Sequence, residues 1–243
     1  MNRSRLRARR RAALAAGAAI GTGALGYAAC AASTWHAYGR PDSDAETEAR
    51  EDILDAFMPS WEVSERHAIE VAAPAAVTFA AARAMDVNRA PLVRAIFALR
   101  SLPARLRGRH VQWPARSLVD ETLAIGWRIL AEVPDRALVM GAYTQPWKAE
   151  VEFRGLPADR FVAFDDPGFA KIVWTLEAEP LTPERSRFVT RTRVQTTDVS
   201  SRRRFRRYWA LLSPGILLIR RASLGLVKRD AERRFAASGP AAQ

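Results

Sequence analysis

Alternation sets in at Trp61. Val63, Glu65, His67, Ile69 and Val71 alternate with Ser64, Arg66, Ala68 and Glu70, the period-two pattern of a half-buried strand. Ala73-Pro74 closes the strand, and Pro74 is suited to the first turn of a helix over residues 75–85. Leu92, Ile96 and Leu99 predict a second helix over 91–107, with arginines on its other side. Residues 108–115 read as a loop and 117–125 as a short helix.

Strands then follow in succession. They are predicted at Trp127–Val133, Ala137–Tyr143, Ala149–Phe153, Arg160–Asp165, Lys171–Glu179 and Ser186–Thr196, with turns at Pro134-Asp135, 155–159 and 180–185. The last two make a hairpin, which predicts Glu177 and Glu179 beside Arg191 and Arg193 on its solvent face. From 199 to 235 the period lengthens. Phe205, Tyr208, Leu212, Ile216, Ile219 and Leu226 recur at helical spacing, with Pro214-Gly215 expected to kink or break the helix. The order predicts an α+β fold in which a curved antiparallel sheet grips a long C-terminal helix, the space between them being core or cavity.

Before Trp61 the text differs. Residues 12–33 carry no charge and follow six arginines. As a helix they could cross a hydrocarbon core of roughly 30 Å. The arginines predict a cytoplasmic head over 1–11, a transmembrane anchor or signal segment over 12–33, and an extracytoplasmic remainder. The segment is mostly Ala and Gly. Arg10-Arg11 before it resembles a twin-arginine signal, so a cleaved, exported form is the alternative. Gly21, Gly23 and Gly26 spell G-x-G-x-x-G, but no strand precedes them and no βαβ unit follows, so nucleotide binding is set aside. Residues 34–60 form an acidic connector. Ile53, Leu54, Phe57 and Met58 in it predict a short amphipathic helix that docks on the domain, ended by Pro59.

Composition narrows the chemistry. The 243 residues hold 38 Lys+Arg against 26 Asp+Glu, a net charge of +12. The excess sits in the head and in 199–235, while 41–58 is acidic. One cysteine, Cys30, excludes an internal disulfide and a cysteine-cluster zinc site, and the three histidines lack ligand spacing. There is no G-x-S-x-G or Walker motif. Arg202-Arg203-Arg204-Phe205-Arg206-Arg207-Tyr208-Trp209 reads as a solvated helix face or as a contact for anionic lipid head groups. Nucleic acid is disfavoured by the outward placement.

The order of elements carries a resemblance. With it go Phe164-Asp165-Asp166-Pro167-Gly168, Glu179-Pro180-Leu181, Arg185-Ser186-Arg187, Thr190-Arg191-Thr192-Arg193-Val194 and Phe205-Arg206-Arg207-Tyr208-Trp209. Over about residues 61–236, and most sharply over 160–220, the chain resembles the SRPBCC superfamily. That group includes START lipid-transfer domains, polyketide cyclases, Bet v 1-like proteins and coenzyme Q-binding proteins. The resemblance is to a bacterial branch of uncharacterised members, some with an N-terminal membrane segment. It implies a helix-grip fold with a hydrophobic ligand cavity over 61–236, and no catalytic motif. Residues 237–243 are expected to be a disordered tail, and no cofactor or metal is expected.

Trp174 and Trp209 are the first choices for lining such a cavity, with Tyr143, Trp147, Phe164 and Phe169 behind them. Glu65, His67, Glu132 and Asp165 are the acid/base candidates. His67, on the inward face of the first strand, is more often a hydrogen-bonded core histidine than a catalytic one. The expected function is non-enzymatic: membrane-anchored binding or transport of a hydrophobic small molecule or lipid, without an obligate oligomer. The alternatives are a polyketide cyclase or dehydratase and a structural accessory domain.

Overall fold

The structure, a computed structural model, describes residues 25–36, 38, 53–86 and 117–239. Residues 25–36 are helical (α1). There follow β1 (Val63–Val71), α2 (Ala75–Arg83), α3 (Leu118–Ala124), β2 (Arg128–Val133), β3 (Ala137–Thr144), β4 (Phe153–Arg154), α4 (Ala158–Ala163), β5 (Ala170–Thr182), β6 (Arg185–Thr196) and α5 (Val199–Ser238). The helix expected over 91–107 lies outside the described residues.

The strands form one antiparallel sheet in the order β1-β6-β5-β3-β2, with β4 on β3. The first strand thus pairs with the last, Val63 against Val194 through Val71 against Ser186. Successive side chains point to opposite faces. One face carries Val71, Leu138, Met140, Ala142, Leu176, Ala178 and Phe188, and packs against α2 and α5. The sheet and its closing helix make an α+β helix-grip. Thr78 Oγ1 on α2 meets the Ser186 hydroxyl at 2.8 Å, and Ser186 donates to Ala73 O at 2.8 Å, all in the interior.

The opposite face is covered as well. Ile53, Leu54, Phe57 and Met58 pack there with Leu130, Val139, Phe161 and Val173. Arg193 holds this cover down: its Nη1 donates to Asp55 at 2.6 Å and to Met58 O at 2.9 Å, and its guanidinium lies 3.8 Å from the centre of the Trp61 ring. The hairpin face expected in solvent is therefore buried at Glu177 and Arg193. Arg191 pairs with Glu177 and Glu179, as the register requires, but Arg193 is engaged by Asp55 instead.

Two predicted strands are otherwise. Of Arg160–Asp165, residues 160–163 belong to α4, which Pro157 precedes as N-cap and whose buried residue is Phe161, and Phe164 leaves the helix in an extended conformation. The strand at Ala149–Phe153 shrinks to β4. A turn from Gln145 to Lys148 consumes the preceding residues, and Thr144 Oγ1 donates to Glu152 O at 2.6 Å. Pro214 does not end α5, which runs on to Ser238.

Candidate functional site in the grip

Asp198 starts α5. Its carboxylate accepts from the Ser200 and Ser201 backbone amides at 2.7 and 2.9 Å, from the Ser201 hydroxyl at 2.6 Å and from Gly168 N at 2.5 Å. The Ser201 hydrogen bonds foremost, then those of Ser200 and Gly168, hold it well below the usual carboxylate range. The cap also fixes which stripe of α5 faces the sheet. Phe205, Trp209 and Ser213 are buried at intervals of four, and Leu224, Val227 and Ala231 take the stripe up again eleven residues on. Arg220 falls on the same stripe.

Arg220 is an arginine turned inward. Its Nη2 donates to Thr192 Oγ1 on β6 at 2.7 Å. Thr192 is opposite Glu65 in the β1–β6 ladder and opposite Trp174 in the β5–β6 ladder. His67, two residues along β1 and opposite Thr190, has Nε2 3.5 Å from Glu65 Oε2. Burial lowers the Arg220 pKa and the Glu65 charge raises it again. Thus Glu65, His67, Thr192 and Arg220 form one polar patch on the gripping face, bordered by Ile69, Ile172 and Trp174. Two atoms of it, Arg220 Nη1 and His67 Nε2, are buried without a hydrogen-bond partner. Such a group costs about 1–3 kcal/mol when left unmatched.

The six aromatic candidates fall into three places. Trp174 is on the gripping face, with its ring 6.4 Å from that of Trp127 and edge-on to it. Trp209 and Trp147 share a second cluster with Val63, Ala170, Val194 and Phe205, and Ile172 touches both groups. Trp209 stacks on Phe205 at 5.9 Å. Tyr143, Phe164 and Phe169 form a triad of their own, Tyr143 stacking on Phe164 at 4.1 Å. Tyr143 is directly opposite Lys171, whose ammonium lies 5.1 Å from the Phe161 ring centre, so this triad belongs to the other face of the sheet.

Of the acid/base candidates, Glu65 and His67 are brought together in the grip. Glu132 pairs with Arg83 near the surface, and Asp165 is exposed beside the loop to β5. A cleft of about 260 Å³ lies elsewhere, between the end of α2 and the later part of α5, lined by Met85, Asp86, Val227, Asp230 and Arg233 among others. No group of three potential metal ligands occurs among the described residues. Sequence reasoning passed over Arg220 and Thr192. The signal for Arg220 was present: the interval from Phe205 through Trp209 and Ser213 lands on 220, then on Leu224 and Val227.

No family model and no curated protein matches the chain. Among solved structures, the ZhuI aromatase/cyclase from Streptomyces sp. R1128 is 17% identical, with 73% of this chain and 98% of that chain covered and a TM-score of 0.29. A conserved protein from Geobacillus kaustophilus is 11% identical over 70% and 96% of the two chains, with a TM-score of 0.33. Norcoclaurine synthase from Thalictrum flavum is 13% identical over 80% and 96%, with a TM-score of 0.26. Likeness of this degree says nothing about what this chain binds.

Proposed function

We propose that the chain is a membrane-anchored binder of an apolar small molecule that carries an anionic or hydrogen-bond-accepting group. The ligand's body lies along Trp174, Ile172 and the facing side of α5, and its polar group meets Arg220. The observation that carries this is the inward arginine with a donor left unmatched beside a buried, unmatched imidazole nitrogen. An accepting group there would satisfy the Arg220 donor in low-dielectric surroundings, where such hydrogen bonds are strongest. The reading goes with membership of the SRPBCC superfamily, in its branch with an N-terminal membrane segment. It also goes with residues 1–11 in the cytoplasm and the domain outside.

The test is native mass spectrometry of the protein purified from its host membranes, followed by extraction. An apolar molecule with an acidic or carbonyl group, released unchanged, is expected. A ligand-free protein that also ignores added fatty acid would end the binder reading. For the topology, an alkaline-phosphatase fusion after Gln243 should be active, and an inactive one would reverse the orientation.

A second reading rests on the His67–Glu65 pair. A carboxylate beside an imidazole in a partly dry site can hold and move a proton next to a bound carbonyl compound. That is the chemistry of a cyclase or dehydratase. It is distinguished by recovery of an altered ligand, and by its loss in His67→Gln.

A further inference from the structure

The middle of α5 has an outer side that the fold leaves uncovered. Between Arg207 and Arg220 the helix has no charged residue, and its outward positions are Leu211 and Leu218, 61% and 48% exposed. Exposed arginines border them: Arg203, Arg204 and Arg207 before, Arg221 after. Helix α1 lies against the same stretch. Tyr27 donates its hydroxyl to Leu211 O, the Thr34 and Ser213 hydroxyls meet at 3.1 Å, and Arg206 reaches Trp35 O at 2.9 Å across the Trp35 ring. Leu25 of α1 is itself 74% exposed. Residues 25–33 are the end of the uncharged N-terminal stretch, and these contacts hold that end against the same part of α5 as Leu211.

From this we infer that the Leu211–Leu218 side of α5 is seated in the interface of an anionic bilayer, beside the N-terminal segment. By length and composition α5 could cross a membrane. Its placement argues otherwise. The uncharged stretch of 12 residues, 208–219, extends only about 18 Å, short of the roughly 30 Å of hydrocarbon. The other side of the same stretch is committed to the sheet through Trp209 and Ile216, which pack in one cluster with Val63, Ala170 and Val194. A helix with one apolar side, one occupied side and arginines at both ends of the apolar part lies in the plane of the head groups. The arginines meet the lipid phosphates and the leucines enter the acyl boundary. The consequence is that the grip rests on the membrane rather than hanging from a tether.

The inference rests on the membrane reading above, and the experiment separates the two. The full chain, with Cys30→Ser, is labelled with an environment-sensitive fluorophore at one introduced cysteine and reconstituted into phosphatidylcholine/phosphatidylglycerol vesicles. Leu218→Cys and Leu211→Cys report on α5, Leu25→Cys on the N-terminal segment and Leu181→Cys on the exposed end of β5. Labels at 218 and 211 should emit blue-shifted and be quenched by spin-labelled lipid at least about twofold more than the label at 181. A water-like signal at 218 and 211 with a lipid signal at 25 overturns the inference and keeps the anchor. Water-like signals at all three remove both. A blue shift at 218 without lipid quenching means that protein covers this side, which also overturns it. Circular dichroism of each labelled variant guards against misfolding, and the two α5 sites check each other.

Discussion

Arg220 on the closing helix donates to Thr192 Oγ1 on the last strand at 2.7 Å. This one bond joins the two halves of the grip through side chains that an apolar core does not need. Arg220 also keeps Nη1 buried without a hydrogen-bond partner, a cost of about 1–3 kcal/mol that an apolar side chain of similar length does not carry. Arg220→Met is therefore expected to keep or raise the melting temperature, while weakening binding of a long-chain fatty acid by tenfold or more. Fluorescence titration beside a thermal melt measures both. Equal loss of stability and binding would mean that Arg220 serves the fold.

The Thr78–Ser186 hydroxyl pair should behave in the opposite way. Both groups are fully buried, and Ser186 passes its own proton to Ala73 O. Ser186→Ala leaves Thr78 Oγ1 and Ala73 O unmatched, so a loss of about 1–3 kcal/mol is expected in urea unfolding. Thr78→Val in the same background should recover part of it.

Asp198 links the start of α5 to acid stability. Its carboxyl is held below the usual range by the Ser201, Ser200 and Gly168 hydrogen bonds. A carboxyl depressed in the folded state contributes stability that is present above its unfolded pKa of about 4 and fades as pH falls toward the folded value. The wild-type melting temperature should thus drop below about pH 4 more steeply than that of Asp198→Ala, which should melt a few degrees lower at neutral pH. Parallel curves for the two proteins would contradict this.

The cover over the second face depends on Arg193 and Trp61. Trp61→Ala removes the ring under the guanidinium and should loosen residues 53–58. Faster amide exchange and proteolysis at 53–58, with the rest of the sheet protected, is the expected result. A uniform loss of protection would instead make this cover part of the cooperative core.

The first strand and the long helix were legible because each shows one face to the core and so keeps its period, as the alternating burial along β1 does. The period fails where both faces are covered. Glu177 and Arg193 are polar residues in a buried position, satisfied by Arg191 across the hairpin and by Asp55 of a distant segment respectively. Alternation alone reads such residues as solvent-facing. Arg160–Asp165 misleads for a different reason: one helical turn offers too few residues to distinguish its period from a strand's. The polar patch was half legible. Glu65 and His67 share a face of β1 by simple alternation. Arg220 lies on the interval that Phe205, Trp209 and Ser213 begin, but its charge reads as solvent-facing, so it was passed over. The separation of Tyr143, Phe164 and Phe169 from Trp174 follows from strand parity.

The pairing of β1 with β6 bears on how the chain is made. Val63 meets Val194, so the domain's opening strand leaves a ribosome long before its mate exists. Until residue 196 is free, β1 has no neighbour, because β6 is its one partner in the sheet. Local hairpins such as β5–β6 can close at once, whereas this closure waits for most of the loop between them to be synthesised. Chains that stop short of β6 would present an unpaired, half-apolar strand, the kind of edge that recruits other chains. Premature termination before residue 185, where β6 begins, should therefore yield aggregates rather than a shortened, soluble domain.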